Sequence, residues 1–201
     1  MPAVVQSTLP LTGHGARLLL QATVVAFMLS EIGNRVRSAR HSGGTRADRG
    51  SIVLVVACIA AGLLAAGWAV ASSSGVALPG GWWSFSVGIA LMWFGIALRQ
   101  WSVLALGRYF TVAVRVVEDQ RVVDSGPYRW VRHPSYTGLL LSLVGLGAAL
   151  GSWLSLVALA VLPTVGLVVR IRVEESALLA AIGEPYRRYA ERRRRLVPGI
   201  W

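Results

Sequence analysis

Two adjacent carboxylates, Glu174 and Glu175, stand at the end of a long apolar run, close to Arg170 and Arg172. Carboxylates beside a bilayer are costly, and they are usually paired or functional. Neighbouring residues on a helix point about 100° apart, so one acid can meet a ligand while the other pairs with an arginine. On these residues alone, an interfacial salt-bridge network and a ligand site fit equally well. A second group, Arg132-His133-Pro134-Ser135-Tyr136-Thr137-Gly138, opens another apolar run. Pro134 suits the first position of a helix, where its missing N–H would be unpaired anyway. The free N–H groups of that first turn, with the positive end of the helix dipole, favour an anionic ligand group. His133 and Tyr136 can donate or accept hydrogen bonds at the same mouth, and Gly138 permits close approach of a ligand or another helix.

Other chemistries find less support. His14, His41 and His133 lack the spacing of a metal site. No phosphate-binding loop, dinucleotide fingerprint or nucleophile elbow is present. The one cysteine, Cys58, lies in an apolar run, so there is no disulfide framework, and a buried apolar thiol is the expected reading.

The elements that must position these groups are membrane helices. The 201 residues are 55% apolar and 14% charged, with twenty arginines, no lysine and a net charge of +11. A soluble domain carries about 25% charged residues, so the apolar surplus needs a non-aqueous home. The arginines lie between apolar runs, which favours an anionic membrane surface over nucleic acid. Helices are expected at about 16–33, 51–71 and 82–106, the last opening on the interfacial pair Trp82 and Trp83 and carrying Arg99 and Gln100 near its far end. Ser72, Ser73, Ser74, Gly75 and Pro79 mark a loop before it. From Ser135 to Val169 there is no charge. As one helix this stretch would be about 50 Å long, against a hydrocarbon core of about 30 Å. Gly147, Gly151 and Ser152 offer a break, so two short antiparallel helices are expected, about 136–150 and 153–171, with a kink at Pro163.

The reading is an all-α integral membrane protein of five transmembrane helices, the last two a short hairpin, with a cytoplasmic C-terminal helical segment. Residues 1–106 form the N-terminal helices and 107–201 the chemical half. Charge supports the count. Arg35, Arg37, Arg40, Arg46 and Arg49 follow the first helix, Arg108 to Arg132 follow the third, and the tail from Arg187 follows the fifth, while 72–81 is uncharged. Five spans put every basic segment on one side, as the positive-inside rule requires, with the N-terminus outside and the C-terminus cytoplasmic. The run Arg192–Arg195 reads as a solvated or headgroup-facing tail.

The string Gly126-Pro127-Tyr128 … Arg132-His133-Pro134-x-Tyr136-x-Gly138, followed by Glu174-Glu175-x-x-Leu178 … Gly183-x-x-Tyr186-x-x-Tyr189 … Pro198, resembles the isoprenylcysteine carboxyl methyltransferase family, whose more distant relatives include phospholipid methyltransferases. The resemblance covers about residues 104–201. It implies a membrane-embedded site for S-adenosylmethionine, closed by Arg132, His133, Pro134, Tyr136, Gly138, Glu174 and Glu175, with Tyr128 and Tyr189 as further contacts. It also implies an arginine facing the acceptor carboxylate, for which Arg170 and Arg172 both qualify and Arg170 is preferred. Arg170 and Glu174 are thus the expected catalytic pair, and a lipid or lipidated molecule in the membrane the expected partner. Two rivals stand beside this reading. A lipid-amine methyltransferase would need a base, for which Glu175 or His133 would serve. A non-catalytic membrane protein would keep the scaffold but bind no cofactor.

Overall fold

Each long apolar run folds as a helix because only a helix or a closed barrel satisfies its own backbone in lipid. The computed structural model describes residues 13–40, 45, 46, 48, 50–72, 76–113, 115, 116, 121–199 and 201. Among them the α-helices are α1 (His14–Arg40), α2 (Ser51–Ala71), α3 (Trp82–Leu106), α4 (Pro134–Ala149), α5 (Trp153–Ile182) and α6 (Glu184–Arg192). His41, Arg49 and the loop residues Ser73, Ser74 and Gly75 lie outside the described residues.

Several expectations need correction. Four helices, α1, α2, α3 and α5, are long and apolar enough to cross a membrane. At 16 residues α4 is shorter, about 24 Å at 1.5 Å per residue. The hairpin is present, but its second arm is not short. Charge at Arg170–Glu175 reads in sequence as the end of α5, yet the helix runs 30 residues, to Ile182. It can do so because three of those charges find partners inside the protein. Similarly, α1 continues to Arg40 rather than ending near 33. The all-α architecture holds, with one small addition, a two-residue antiparallel ladder of Thr45–Arg46 (β1) with Arg115–Val116 (β2) joining the two basic loops.

Up-and-down order follows from the contacts. At one end, the α2–α3 loop meets the α4–α5 turn, with Leu78 N–H donating to Gly151 O at 2.8 Å and Trp153 N–H to Val76 O at 3.0 Å. Gly151 makes that turn with φ of 70°, a conformation that costs a glycine little. At the other end lie the last turn of α3, the first of α4 and the polar stretch of α5. The basic loops therefore share one end and the uncharged loop the other. Outward faces carry exposed apolar side chains, with Leu64 75% and Trp83 79% exposed. Such faces suit lipid, and Trp82 and Trp83 suit its interface.

The closest helix packing is α3 on α4. A Cβ at Gly95 would lie 2.5 Å from Gly138 O, one at Gly138 2.6 Å from Gly95 O, and one at Gly88 2.6 Å from Gly145 O. Small residues seven apart on each helix make this antiparallel seam, the usual device for bringing membrane helices together. Gly138→Ala is expected to force α3 and α4 apart, costing about 1–3 kcal/mol. The check is a lower midpoint of thermal unfolding in detergent, with Gly67→Ala as control, because a Cβ at Gly67 meets nothing within 4 Å.

Candidate active site

Pro134 opens α4, and Tyr136 and Thr137 N–H close its first turn on His133 O at 3.0 and 3.1 Å. This first turn faces the polar stretch of α5. The Tyr136 hydroxyl donates to Glu174 Oε2 at 2.6 Å and accepts from Arg170 Nε at 2.9 Å. His133 Nε2 lies 3.2 Å from Glu175 Oε1, and Arg132 Nη1 lies 2.8 Å from the same oxygen. Arg195 donates to Glu175 Oε2 from Nε and Nη2, both at 3.0 Å. The 100° between the two acids thus separates their surroundings. Glu175 is held by cations, while Glu174 lines a cavity.

Two carboxylates from the N-terminal half reach the same place. Arg170 is 3% exposed. Its Nη1 donates to Asp48 Oδ1 at 3.0 Å and to Ser51 Oγ at 3.1 Å, and its Nη2 to Val112 O. Asp48 also caps α2, accepting from the Ser51 hydroxyl at 2.5 Å and Ile52 N–H at 3.3 Å. Burial alone would raise the Asp48 carboxyl, but the Ser51 hydroxyl, the Arg170 charge and the Ile52 N–H together hold it below its ordinary value. On α3, Arg99 pairs through Nε and Nη2 with both oxygens of Glu31 in α1 and donates from Nη1 to Ser135 Oγ at 3.0 Å and Ser135 O at 3.1 Å.

These groups wall a cavity of about 150 Å³. Its polar side carries Arg99, Arg132, His133, Tyr136, Arg170 and Glu174, and its apolar side Ile52, Val55, Leu139 and Leu167. Tyr128, Tyr186 and Tyr189 complete the wall. Burial, then the nearby Glu174 charge, raises Tyr128 far above the ordinary phenol range. Burial and the two glutamates do the same for Tyr186, and burial pushes Tyr189 up to about 12. All three are therefore neutral hydroxyls at physiological pH. Tyr189 donates to Tyr128 O at 2.8 Å.

Of the residues expected at the site, Arg132, His133, Tyr136, Glu174, Arg170, Tyr128 and Tyr189 reach the cavity. Glu175 stands behind Arg132 and His133. Pro134 is buried at the helix start but is not on the wall. Gly138 is not on it either, because its missing Cβ is used against Arg99 and Gly95 of α3. Arg172 is exposed on the opposite side of α5 and away from the cavity. Arg195 is not merely part of a solvated tail. Arg132 and His133 N–H donate to Arg194 O and Arg195 O at 2.7 and 2.9 Å, a strap that delivers Arg195 to Glu175.

Sequence reasoning gave no role to Asp48 or Glu31 and placed Arg99 only near the far end of its helix. The available signals were an acid three residues before a serine at the start of an apolar helix, which reads as a cap, and an acid inside an apolar run, which demands a partner.

Comparison with known proteins bears on this geometry. Residues 88–180 match the isoprenylcysteine carboxyl methyltransferase (ICMT) family. Protein-S-isoprenylcysteine O-methyltransferase B of Arabidopsis thaliana is 34% identical over 113 residues, 55% of this chain and 57% of that protein. YpbQ of Bacillus subtilis is 31% identical over 101 residues, 50% of this chain and 58% of that one. The solved structure of the eukaryotic intramembrane Ras methyltransferase ICMT superposes with a TM-score of 0.56 at 30% identity, covering 59% of this chain and 43% of that one. The match thus spans somewhat over half the length of these two relatives.

Proposed function

We propose that this chain, whose residues 88–180 match the isoprenylcysteine carboxyl methyltransferase family, is a membrane methyltransferase that uses S-adenosylmethionine to esterify the carboxylate of a prenylcysteine-like lipid acceptor. One observation carries the reading. The residues opening α4 and those on the polar stretch of α5 meet at a single cavity, joined by the Tyr136–Glu174 bond of 2.6 Å, and that cavity has an apolar wall.

The residues present fit the cofactor. Arg132 Nε and the Tyr186 hydroxyl are buried without a hydrogen-bond partner, and both residues line the cavity. Unsatisfied buried donors are costly unless something binds them. Arg132, His133, Tyr136, Glu174, Tyr128 and Tyr189 would hold the cofactor, with Glu174 as the negative charge on its wall. When bound, S-adenosylmethionine supplies a methyl group on a positively charged sulfur.

The chain's task is alignment. Arg170 has five N–H donors; Nε is spent on Tyr136, Nη1 on Asp48 and Ser51, and one on Nη2 on Val112 O. The remaining Nη2 donor is available to an acceptor carboxylate. An ionised acceptor carboxylate would need no general base, so these residues would have only to hold its oxygen in line with the methyl group. Ile52, Val55, Leu139 and Leu167 would give the prenyl tail an apolar surface on the cavity wall. The arginine-rich loops gathered at this end support a cytoplasmic site in a cell membrane, with the C-terminus cytoplasmic and the N-terminus outside.

Purified protein given methyl-labelled cofactor and a farnesylated cysteine analogue is expected to place base-labile label on the analogue. Calorimetry should show that Glu174→Gln weakens binding of S-adenosylhomocysteine or the methylated cofactor. Label only on amine lipids, or none together with unaltered cofactor binding in Glu174→Gln, would remove the assignment.

A further inference from the structure

The two buried arginines of the cavity wall, Arg99 and Arg170, share an unusual provenance for their counter-charges. Neither is paired with an acid from the stretch 88–180. Arg99 meets Glu31 of α1 through two parallel contacts, Nη2 to Oε2 at 2.7 Å and Nε to Oε1. Arg170 meets Asp48 of the α1–α2 loop at 3.0 Å. Arg99 and Arg170 are 8% and 3% exposed, and Asp48 is wholly buried. We infer that Glu31 and Asp48 are positioning residues: they fix the planes of Arg99 and Arg170 on the cavity wall, so that the site is completed by the N-terminal part of the chain. The inference rests on the methyl-transfer reading and adds to it a role for residues outside the matched segment.

The argument is geometric. A bidentate carboxylate locks a guanidinium in its own plane. Arg99 then turns Nη1 toward α4 and spends it on Ser135, the residue before Tyr136. Arg170 is anchored from behind by Asp48 and Ser51, which leaves Nε to orient the Tyr136 hydroxyl and, through it, Glu174. Charge neutrality alone would not need this arrangement. One acid anywhere nearby would neutralise each arginine, whereas here each acid also selects which N–H groups face the cavity. Furthermore, α1 packs on the rest of the protein mainly through α3, so Glu31 does more than add one contact to an extensive interface.

The test uses the full chain in detergent or nanodiscs, with Glu31→Gln and Asp48→Asn beside the acid-preserving Glu31→Asp and Asp48→Glu. Amide variants are expected to lose about tenfold to a hundredfold in kcat/KM for a farnesylated cysteine analogue, the scale of an ångström of misplacement. Affinity for S-adenosylhomocysteine should fall by a smaller factor than kcat/KM, and the acid-preserving variants should recover part of the loss. A second readout needs no turnover. The ¹⁵Nε resonances of Arg99 and Arg170, assigned with Arg99→Lys and Arg170→Lys, should respond selectively: Glu31→Gln moves and sharpens the first, Asp48→Asn the second. Selective responses with retained cofactor-analogue binding support the inference. Unmoved resonances, or an activity loss that tracks thermal stability equally in amide and acid variants, would overturn it. If the wild-type protein methylates no farnesylated acceptor, the proposed reaction fails, while the resonances still decide whether the two acids position the arginines.

Discussion

Arg170→Ala is expected to abolish measurable methyl transfer and to destabilise the protein by about 3–5 kcal/mol, the usual cost of removing one partner from a buried ion pair. The cost comes from what is left behind. Asp48 is fully buried and would keep a charge after losing its guanidinium partner, while the Ser51 hydroxyl and the Ile52 N–H still donate to it. Val112 O and the Tyr136 hydroxyl each lose their donor, so α5, the α1–α2 loop and the segment after α3 separate together. Arg170→Lys should be intermediate, because one ammonium cannot span the four acceptors the guanidinium reaches. A pH series isolates the ion pair from the lost packing. The folded protein holds the Asp48 carboxyl below its ordinary value of 3.8. A depressed acid contributes stability that is fully present above the unfolded value and is lost as pH falls through the folded one. The wild-type advantage over Arg170→Ala should therefore be largest at neutrality and narrow as pH falls, first because the variant's Asp48, with burial no longer offset by Arg170, takes up a proton more readily, and further below about pH 4 as the wild-type pair is lost. Thermal unfolding of the two proteins at pH 7, 5, 4 and 3 makes the comparison. A gap unchanged at pH 3 would mean that Asp48 and Arg170 are not coupled through charge.

Local punctuation was legible in the sequence, and long-range charge pairing was not. Pro134 marked the start of α4, and Gly151 with Ser152 marked the hairpin turn, because the backbone geometry of each residue acts within one turn of chain. The grouping of Arg132, His133 and Tyr136 with Glu174 and Glu175 was readable only through the family resemblance. No spacing rule joins residues 38 to 42 positions apart. The end of α5 was misread for a physical reason. Charge normally ends a membrane span, but Arg170, Glu174 and Glu175 are each paired within the protein, so the helix continues through them to Ile182. Gly138 shows the opposite ambiguity. A glycine beside a ligand-binding turn and a glycine in a helix seam look alike until the second helix is seen, and only the approach of Gly95 O assigns this one to the seam. Asp48 was hidden because it looks like one acid in a basic loop. Its meaning depends on Arg170, 122 residues away.

The same reasoning makes Glu175→Ala the second large effect, with a signature unlike that of Arg170→Ala. Glu175 is the one acid shared by Arg132, His133 and Arg195 among the described residues, at 2.8, 3.2 and 3.0 Å. Removing it leaves the Arg132 and Arg195 guanidinium groups without the carboxylate between them, with Arg132 already lacking a partner at Nε. Like charges in a dry site repel strongly, so the first turn of α4 should lose its fixed geometry and cofactor binding should fall by at least about a hundredfold, 2.7 kcal/mol. Arg195 loses its side-chain anchor as well. The strap then depends on its backbone bonds to Arg132 and His133, the Thr137 hydroxyl on Leu196 O at 2.8 Å, and the Arg195 guanidinium over Trp201. Limited proteolysis should therefore cut the arginine-rich stretch 192–195 faster in Glu175→Ala than in the wild type, while α2 and α5, packed through Gly62 and Gly166, stay protected. Glu175→Gln retains an acceptor oxygen and should fall between the two. In Arg170→Ala, by contrast, the strap keeps its anchor, so cleavage at 192–195 should stay slow even as global stability drops. Equal cleavage of the tail in both variants would show that Glu175 does not hold the strap, and would leave the cofactor-binding loss without its structural cause.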